Sequence, residues 1–161
     1  TALPDYRRLW ALTYGPDPGT ASALLEACER FERSHPESSH LGGCLTLSGR
    51  ALAQLGRVPE ARAAFARVLA RTSMSGFEDD ALRRLAELDA AEGKWPEAAA
   101  GFARVIGEHP YTPAFADALF QWGLCALRAR DAETGRRVLR QALASYPSHA
   151  SAAAARAALR D

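Results

Sequence analysis

Residues 96–110 read PEAAAGFARVIGEHP, and residues 59–69 read PEARAAFARVL. Pro59-Glu60-Ala61 with Phe65 thus recurs as Pro96-Glu97-Ala98 with Phe102, every landmark displaced by 37 residues. Prolines keep the same step in both directions. Ser34-His35-Pro36, Glu108-His109-Pro110 and Ser145-Tyr146-Pro147 are spaced by two periods and then one, with Ser73 standing where the intermediate proline would fall. A fixed period of this length is the signature of a stacked repeat architecture.

Within each period the apolar spacing is helical. Leu45 and Leu52, then Ala61, Phe65, Val68 and Leu69, mark two stripes separated by the break Leu55-Gly56-Arg57. Each unit therefore reads as a helix, a tight turn and a second helix. The spacing predicts helices near 4–13, 18–34, 40–55, 59–71, 77–91, 96–108, 114–129, 132–145 and 149–160. Asp17-Pro18 and Thr112-Pro113 set a capping residue before a first-turn proline, and Ser75 with Glu78 forms a capping box ahead of Leu82 and Leu85. The proline after each second helix stops it. The expected fold is an all-α, right-handed α-solenoid of about four hairpins near 4–38, 39–75, 76–112 and 113–148, closed by an Ala-rich capping helix at 149–161.

Composition narrows the function. Apolar residues make up 48% and charged residues 24% of the 161, enough to bury a core as one solenoid domain. Twenty basic residues balance 19 acidic ones, mixed along the chain, so no field gathers nucleic acid or anionic lipid. No apolar run reaches the roughly 20 residues of a membrane span, and no signal peptide is evident. The chain opens on Thr1 without Met, which we read as a piece of something longer. Cys28, Cys44 and Cys125 lack Cys-x-x-Cys spacing and read as small buried hydrophobes. With a single lysine, Lys94, a single isoleucine, Ile106, and no asparagine, the coding sequence is expected to be GC-rich and bacterial.

These hairpins resemble the tetratricopeptide repeat, whose pattern runs W-x2-L-G-x2-Y, then A-x3-F, then P. The second unit matches with Leu45, Gly49, Leu52, Ala61 and Phe65, and the third with Leu82, Leu85, Ala86, Ala98, Phe102 and Pro110. The fourth matches with Leu119, Trp122, Gly123, Ala126, Leu139, Ala142 and Pro147, whereas the first is degenerate. The period of 37 departs from the usual 34. The phrases around His109-Pro110 and Tyr146-Pro147 are similar to those of bacterial envelope proteins of the Tol-Pal accessory and barrel-assembly lipoprotein type. The resemblance implies a non-catalytic scaffold for a protein or peptide partner, with the periplasm or cell envelope favoured over the cytoplasm. A spacer that self-associates, or a regulatory tail of a larger signalling protein, is the alternative.

No nucleotide, zinc-protease or nucleophile-elbow motif occurs, so no catalytic residue, metal site or cofactor is expected. His35 and His109 precede their prolines and read as helix terminators. Glu78-Asp79-Asp80 complements a helix dipole, and Arg136, Arg137 and Arg140 read as a solvated face. The stretch 114–130 is apolar nearly all round. Its first stripe, Leu119, Trp122, Gly123 and Ala126, belongs to stacking; the second, Phe120, Leu124 and Leu127, either packs internally or lines a partner groove. In repeats of this type the first helix of each hairpin lines the concave side. The candidate groove therefore takes Phe120, Gln121, Leu124 and Leu127, with polar register from Arg83 and Glu87 and from Thr46, Arg50 and Gln54. A secondary interface candidate is Tyr6, Trp10 and Tyr14, four apart, whose alternative is packing over Leu24 and Cys28.

Overall fold

The computed structural model describes residues 2–13, 18–71 and 76–160. Among them nine helices and no strand occur: α1 (Ala2–Thr13), α2 (Pro18–Ser34), α3 (Leu41–Gln54), α4 (Val58–Ala70), α5 (Glu78–Ala91), α6 (Trp95–Glu108), α7 (Phe115–Arg128), α8 (Ala132–Ser145) and α9 (Ala152–Ala158). Helices adjacent in sequence pack on each other as helix-turn-helix hairpins, and the fold is all-α as the spacing predicted. Two compact units divide the chain, residues 1–81 and 82–161. In the first, α1 packs on α2, α2 on α3 and α3 on α4; in the second, α7 is gripped by α6, α8 and α9.

The hairpin turns explain the period. Arg57 N donates to Leu52 O at 2.8 Å, Lys94 N to Asp89 O at 2.9 Å, and Asp131 N to Ala126 O at 2.9 Å. Each bond closes a Schellman turn, in which the residue before the donor must enter the left-handed region. Those residues are Gly56, Gly93 and Arg130, with φ of 73°, 75° and 66°. Two glycines and one arginine thus do the same job one period apart. The second helices then start from different chemistry. Pro59 and Pro96 sit in the first turn of α4 and α6, where a missing N–H costs nothing, while Asp131 caps α8 by accepting from Thr134 N at 3.1 Å.

The turns between hairpins repeat as well. His40 N donates to the Ser38 hydroxyl at 3.1 Å, Ala114 N to the Thr112 hydroxyl at 3.3 Å, and Ser151 N to His149 Nδ1 at 3.1 Å. This corrects two expectations. Thr112 closes a turn ahead of α7 and is not its cap, because the first helical residue is Phe115. The last helix covers only Ala152–Ala158, because His149 is occupied by the same turn. Asp17 and Ser75, expected as caps, lie outside the described residues, as does Ser73.

Close packing within hairpins depends on one small residue at each crossing. A Cβ on Gly49 would meet the Phe65 ring at 2.6 Å, and one on Gly123 would meet Leu139 at 2.6 Å. In the third hairpin the arrangement is inverted, with Ala86 on α5 and Gly101 on α6. Phe65, Phe102 and Leu139 are buried there and, at about 1.5–3 kcal/mol each, supply much of the apolar driving force.

Candidate partner-binding surface

The sequence-predicted groove residues sit on the first helices α3, α5 and α7, and the structure divides them. In the first unit Thr46 is buried, 4% exposed, and its hydroxyl donates to Gly42 O at 2.9 Å inside α3, so it offers nothing to a partner. Arg50 is half-buried and Gln54 exposed; with Leu12, Leu24 and Ala51 they border a shallow recess beside α1 and α2.

In the second unit Arg83 and Glu87 form an ion pair across one turn of α5, and Arg84 Nη1 reaches the other Glu87 oxygen at 3.1 Å. Glu87 is therefore held by two guanidinium groups. Gln121 and Leu124 are half-buried on α7. Phe120 is fully buried, stacked on the His149 ring with centroids 4.8 Å apart and 14° between planes. Its side chain belongs to the core with Leu119, Val138, Leu139 and Ala152. Leu127 packs against the same core and lies over Gly135, where a Cβ would meet it at 2.6 Å. Smallness at Gly135 admits the bulk of Leu127, which like Leu124 packs on the core while staying half-buried.

The N-terminal aromatics are likewise internal. Tyr6 is 9% exposed, lies flat on His40 with centroids 4.6 Å apart, and contacts Phe31 and Trp10 at 5.9 and 6.2 Å. Burial pushes its phenol above the ordinary tyrosine value. Trp10 is half-buried with its ring 6.3 Å from that of Phe77. His40 thus packs on Tyr6 and Phe77 on Trp10, both distant in sequence; Tyr14 lies outside the described residues. Sequence reasoning also missed the bond between His35 Nε2 and Asp5 Oδ2 at 3.1 Å, which joins the end of α2 to α1.

Remaining sequence features fall on surfaces. Glu78, Asp79 and Asp80 occupy the first turn of α5. Arg136, Arg137 and Arg140 are exposed on α8, with the Arg137 guanidinium 5.7 Å from the Trp122 ring; Arg128 stands 4.7 Å over Trp95. Among the described residues no group of three or more His, Cys, Asp or Glu could hold a metal ion, and no helix is long and apolar enough to cross a membrane.

A sequence profile of the tetratricopeptide repeat matches residues 80–110 and 117–149, the third and fourth hairpins seen above. The third and fourth hairpins are tetratricopeptide repeats, and the chain has the fold of tetratricopeptide repeat proteins. A tetratricopeptide repeat protein from Parabacteroides merdae superposes on 98% of the chain with a TM-score of 0.78 at 20% identity. The chain spans 59% of that protein's length. MamA from Desulfovibrio magneticus aligns over 81% of this chain and 69% of its own, with a TM-score of 0.67 and 21% identity. Kinesin-light-chain-type repeats from Podosopora anserina align over 97% of this chain and 82% of their own, with a TM-score of 0.71 and 16% identity. No curated protein sequence matches. At these identities the likeness is one of fold, and it extends the tetratricopeptide repeat architecture beyond the two hairpins that the profile finds.

Proposed function

We propose that this tetratricopeptide repeat chain is a non-catalytic scaffold that receives a protein or peptide partner on its first-helix faces. Repeats of this family generally bind proteins, and the near-neutral charge argues against nucleic acid. The observation that carries the reading is the state of α7: while Phe120 is consumed by the core, Gln121, Leu124 and Leu127 keep part of their surface on the same helix. Arg83 and Glu87 on α5, and Arg50 and Gln54 on α3, would set polar register. A preformed helical face binds with little rearrangement, which limits the ordering cost of association. The His109-Pro110 and Tyr146-Pro147 phrases support a place in a bacterial envelope complex.

The test compares the parent with a Gln121→Arg, Gln54→Arg double variant, whose fold is checked by circular dichroism, in affinity capture from extracts of the source organism. A defined partner retained by the parent and lost by the variant supports the scaffold. An identical set recovered by both, or nothing specific by either, overturns the groove assignment.

A self-associating spacer is the second reading, favoured by a cleft of about 620 Å³ between α1 and α2, lined by Leu9, Leu12 and Phe31 and flanked by Asp5, Arg8 and Arg30. Sedimentation separates the two: a spacer assembles at micromolar concentration, and a scaffold awaiting its partner stays monomeric.

A further inference from the structure

Two thiols of the first unit face each other in its core. Cys28 on α2 and Cys44 on α3 are both fully buried, and the Cys44 thiol donates to the Cys28 carbonyl oxygen at 3.4 Å. Each thiol is the leading influence on the other's titration, and the Ser48 side chain acts on Cys28 as well. One period on, the register of Cys28 holds Phe65, then Phe102, then Leu139; the register of Cys44 holds Ala81 and Ala118. Where the other hairpins place bulk, the first places sulfur. Size explains only part of this, since Leu12 stands in the register of Gly49 and can supply volume from the opposite helix. An alanine fills the register of Cys44 in the other hairpins; two adjacent thiols add chemistry that packing does not require.

We propose that Cys28 and Cys44 are a dithiol site that a small-molecule disulfide oxidises to an intrachain disulfide, stapling α2 to α3. The Cys28 thiolate attacks one sulfur of the small disulfide, forming a mixed disulfide and releasing one thiolate, which takes up the proton Cys28 lost. Cys44 then gives up its proton and attacks the Cys28 sulfur, expelling the second small thiol. In total, two protein thiols and one disulfide become one protein disulfide and two small thiols. The order follows from the site: the neighbouring Cys44 side chain holds the Cys28 thiol below its ordinary value, while the Cys28 side chain and burial push Cys44 up. Access requires opening of α1, whose Tyr6 ring rests on Phe31, one turn beyond Cys28, and whose hydroxyl crowds Gly43, next to Cys44. Oxidation is therefore slower than that of an exposed thiol.

The test equilibrates the whole chain in glutathione and glutathione-disulfide buffers, in plain buffer and in concentrated urea, then denatures, alkylates and maps the products by mass. The expected product has lost two hydrogens, keeps only Cys125 alkylatable and yields a linked Cys28–Cys44 peptide. Half-oxidation should fall at a lower glutathione disulfide level in buffer than in urea, because the fold holds the sulfurs together. Oxidised protein should melt about 5 °C or more above reduced protein, a shift absent from Cys28→Ala and Cys44→Ala. Three alkylatable thiols at equilibrium in the folded chain, linkage through Cys125 or between copies, or equal midpoints in buffer and urea would each overturn the proposal. Because the mapping uses the parent chain, it stands even where a variant fails to fold.

Discussion

The ring of Phe120 lies nearly flat on the imidazole of His149, and the same imidazole accepts the backbone N–H of Ser151 through Nδ1. One histidine thus covers the exposed end of the α7 core and shapes the turn into α9. Phe120→Ala should cost about 3–5 kcal/mol in urea unfolding, the range for truncating a buried aromatic ring. A loss under 1 kcal/mol would mean that the ring is not the core element its burial makes it.

Arg130 occupies the left-handed position that Gly56 and Gly93 hold elsewhere. A side chain in that region costs on the order of 1 kcal/mol. Arg130→Gly should therefore raise stability by up to about 1 kcal/mol, the gain trimmed by the greater freedom of glycine in the unfolded chain. Gly93→Ala should lower it by about 1 kcal/mol, although nothing crowds a Cβ there. Chemical denaturation of both variants checks the opposite signs.

Gly43 makes room for Tyr6: a Cβ would stand 1.9 Å from the phenol oxygen and 2.8 Å from the ring carbon that bears it. Gly43→Ala should displace Tyr6, disturb the fluorescence of its neighbour Trp10 and cost about 1–3 kcal/mol, as overpacking does. In a Tyr6→Ala background the same substitution should cost much less. Additive costs in that double-mutant cycle would contradict the contact.

Asp131 accepts from Thr134 at the start of α8, through the backbone N–H and the side-chain hydroxyl, and these bonds hold its carboxyl below the usual aspartate range. A lowered folded-state value means the unfolded state takes up the proton first. The stabilisation is thus complete above the unfolded value of about 3.9 and disappears as pH falls through the folded one. Melting temperatures of the parent and Asp131→Ala should differ at pH 7 and converge in strong acid, once the carboxyl is protonated in both states. A difference that persists in strong acid would exclude the carboxylate as its source.

Helix positions were legible to within a residue or two at nearly every boundary, because the glycines, prolines and apolar stripes that mark hairpins recur at one step. The fate of side chains on α7 was not. Phe120, Leu124 and Leu127 have the same spacing whether they meet a groove or a core, and the deciding neighbours carry weak signals. Alpha-9 is a seven-residue run of alanine with one arginine, and His149 before it looks like an ordinary loop residue. The burial of Tyr6 was hidden for a related reason: its spacing with Trp10 was visible, but His40 and Phe77 meet these rings only through tertiary folding. Arg130 concealed its backbone state because arginine does not announce a left-handed turn. The 37-residue register, carried forward from Gly56 and Gly93, could have found it.

The three hairpin turns share one bond pattern at one spacing, which has a consequence for how such a gene can change length. A recombination that joins codon 56 to codon 94 removes one period in frame and reproduces a Gly-Lys junction with the same left-handed residue, the same donor and an acceptor five residues before it. Crossover at this point preserves the joint on both sides, whereas a break inside a helix pairs a small residue on one strand of ancestry with a small or oversized one on the other, as Gly49 with Phe65 and Ala86 with Gly101 illustrate. Natural or engineered arrays of this sequence should therefore shorten and lengthen at the turns, in whole periods.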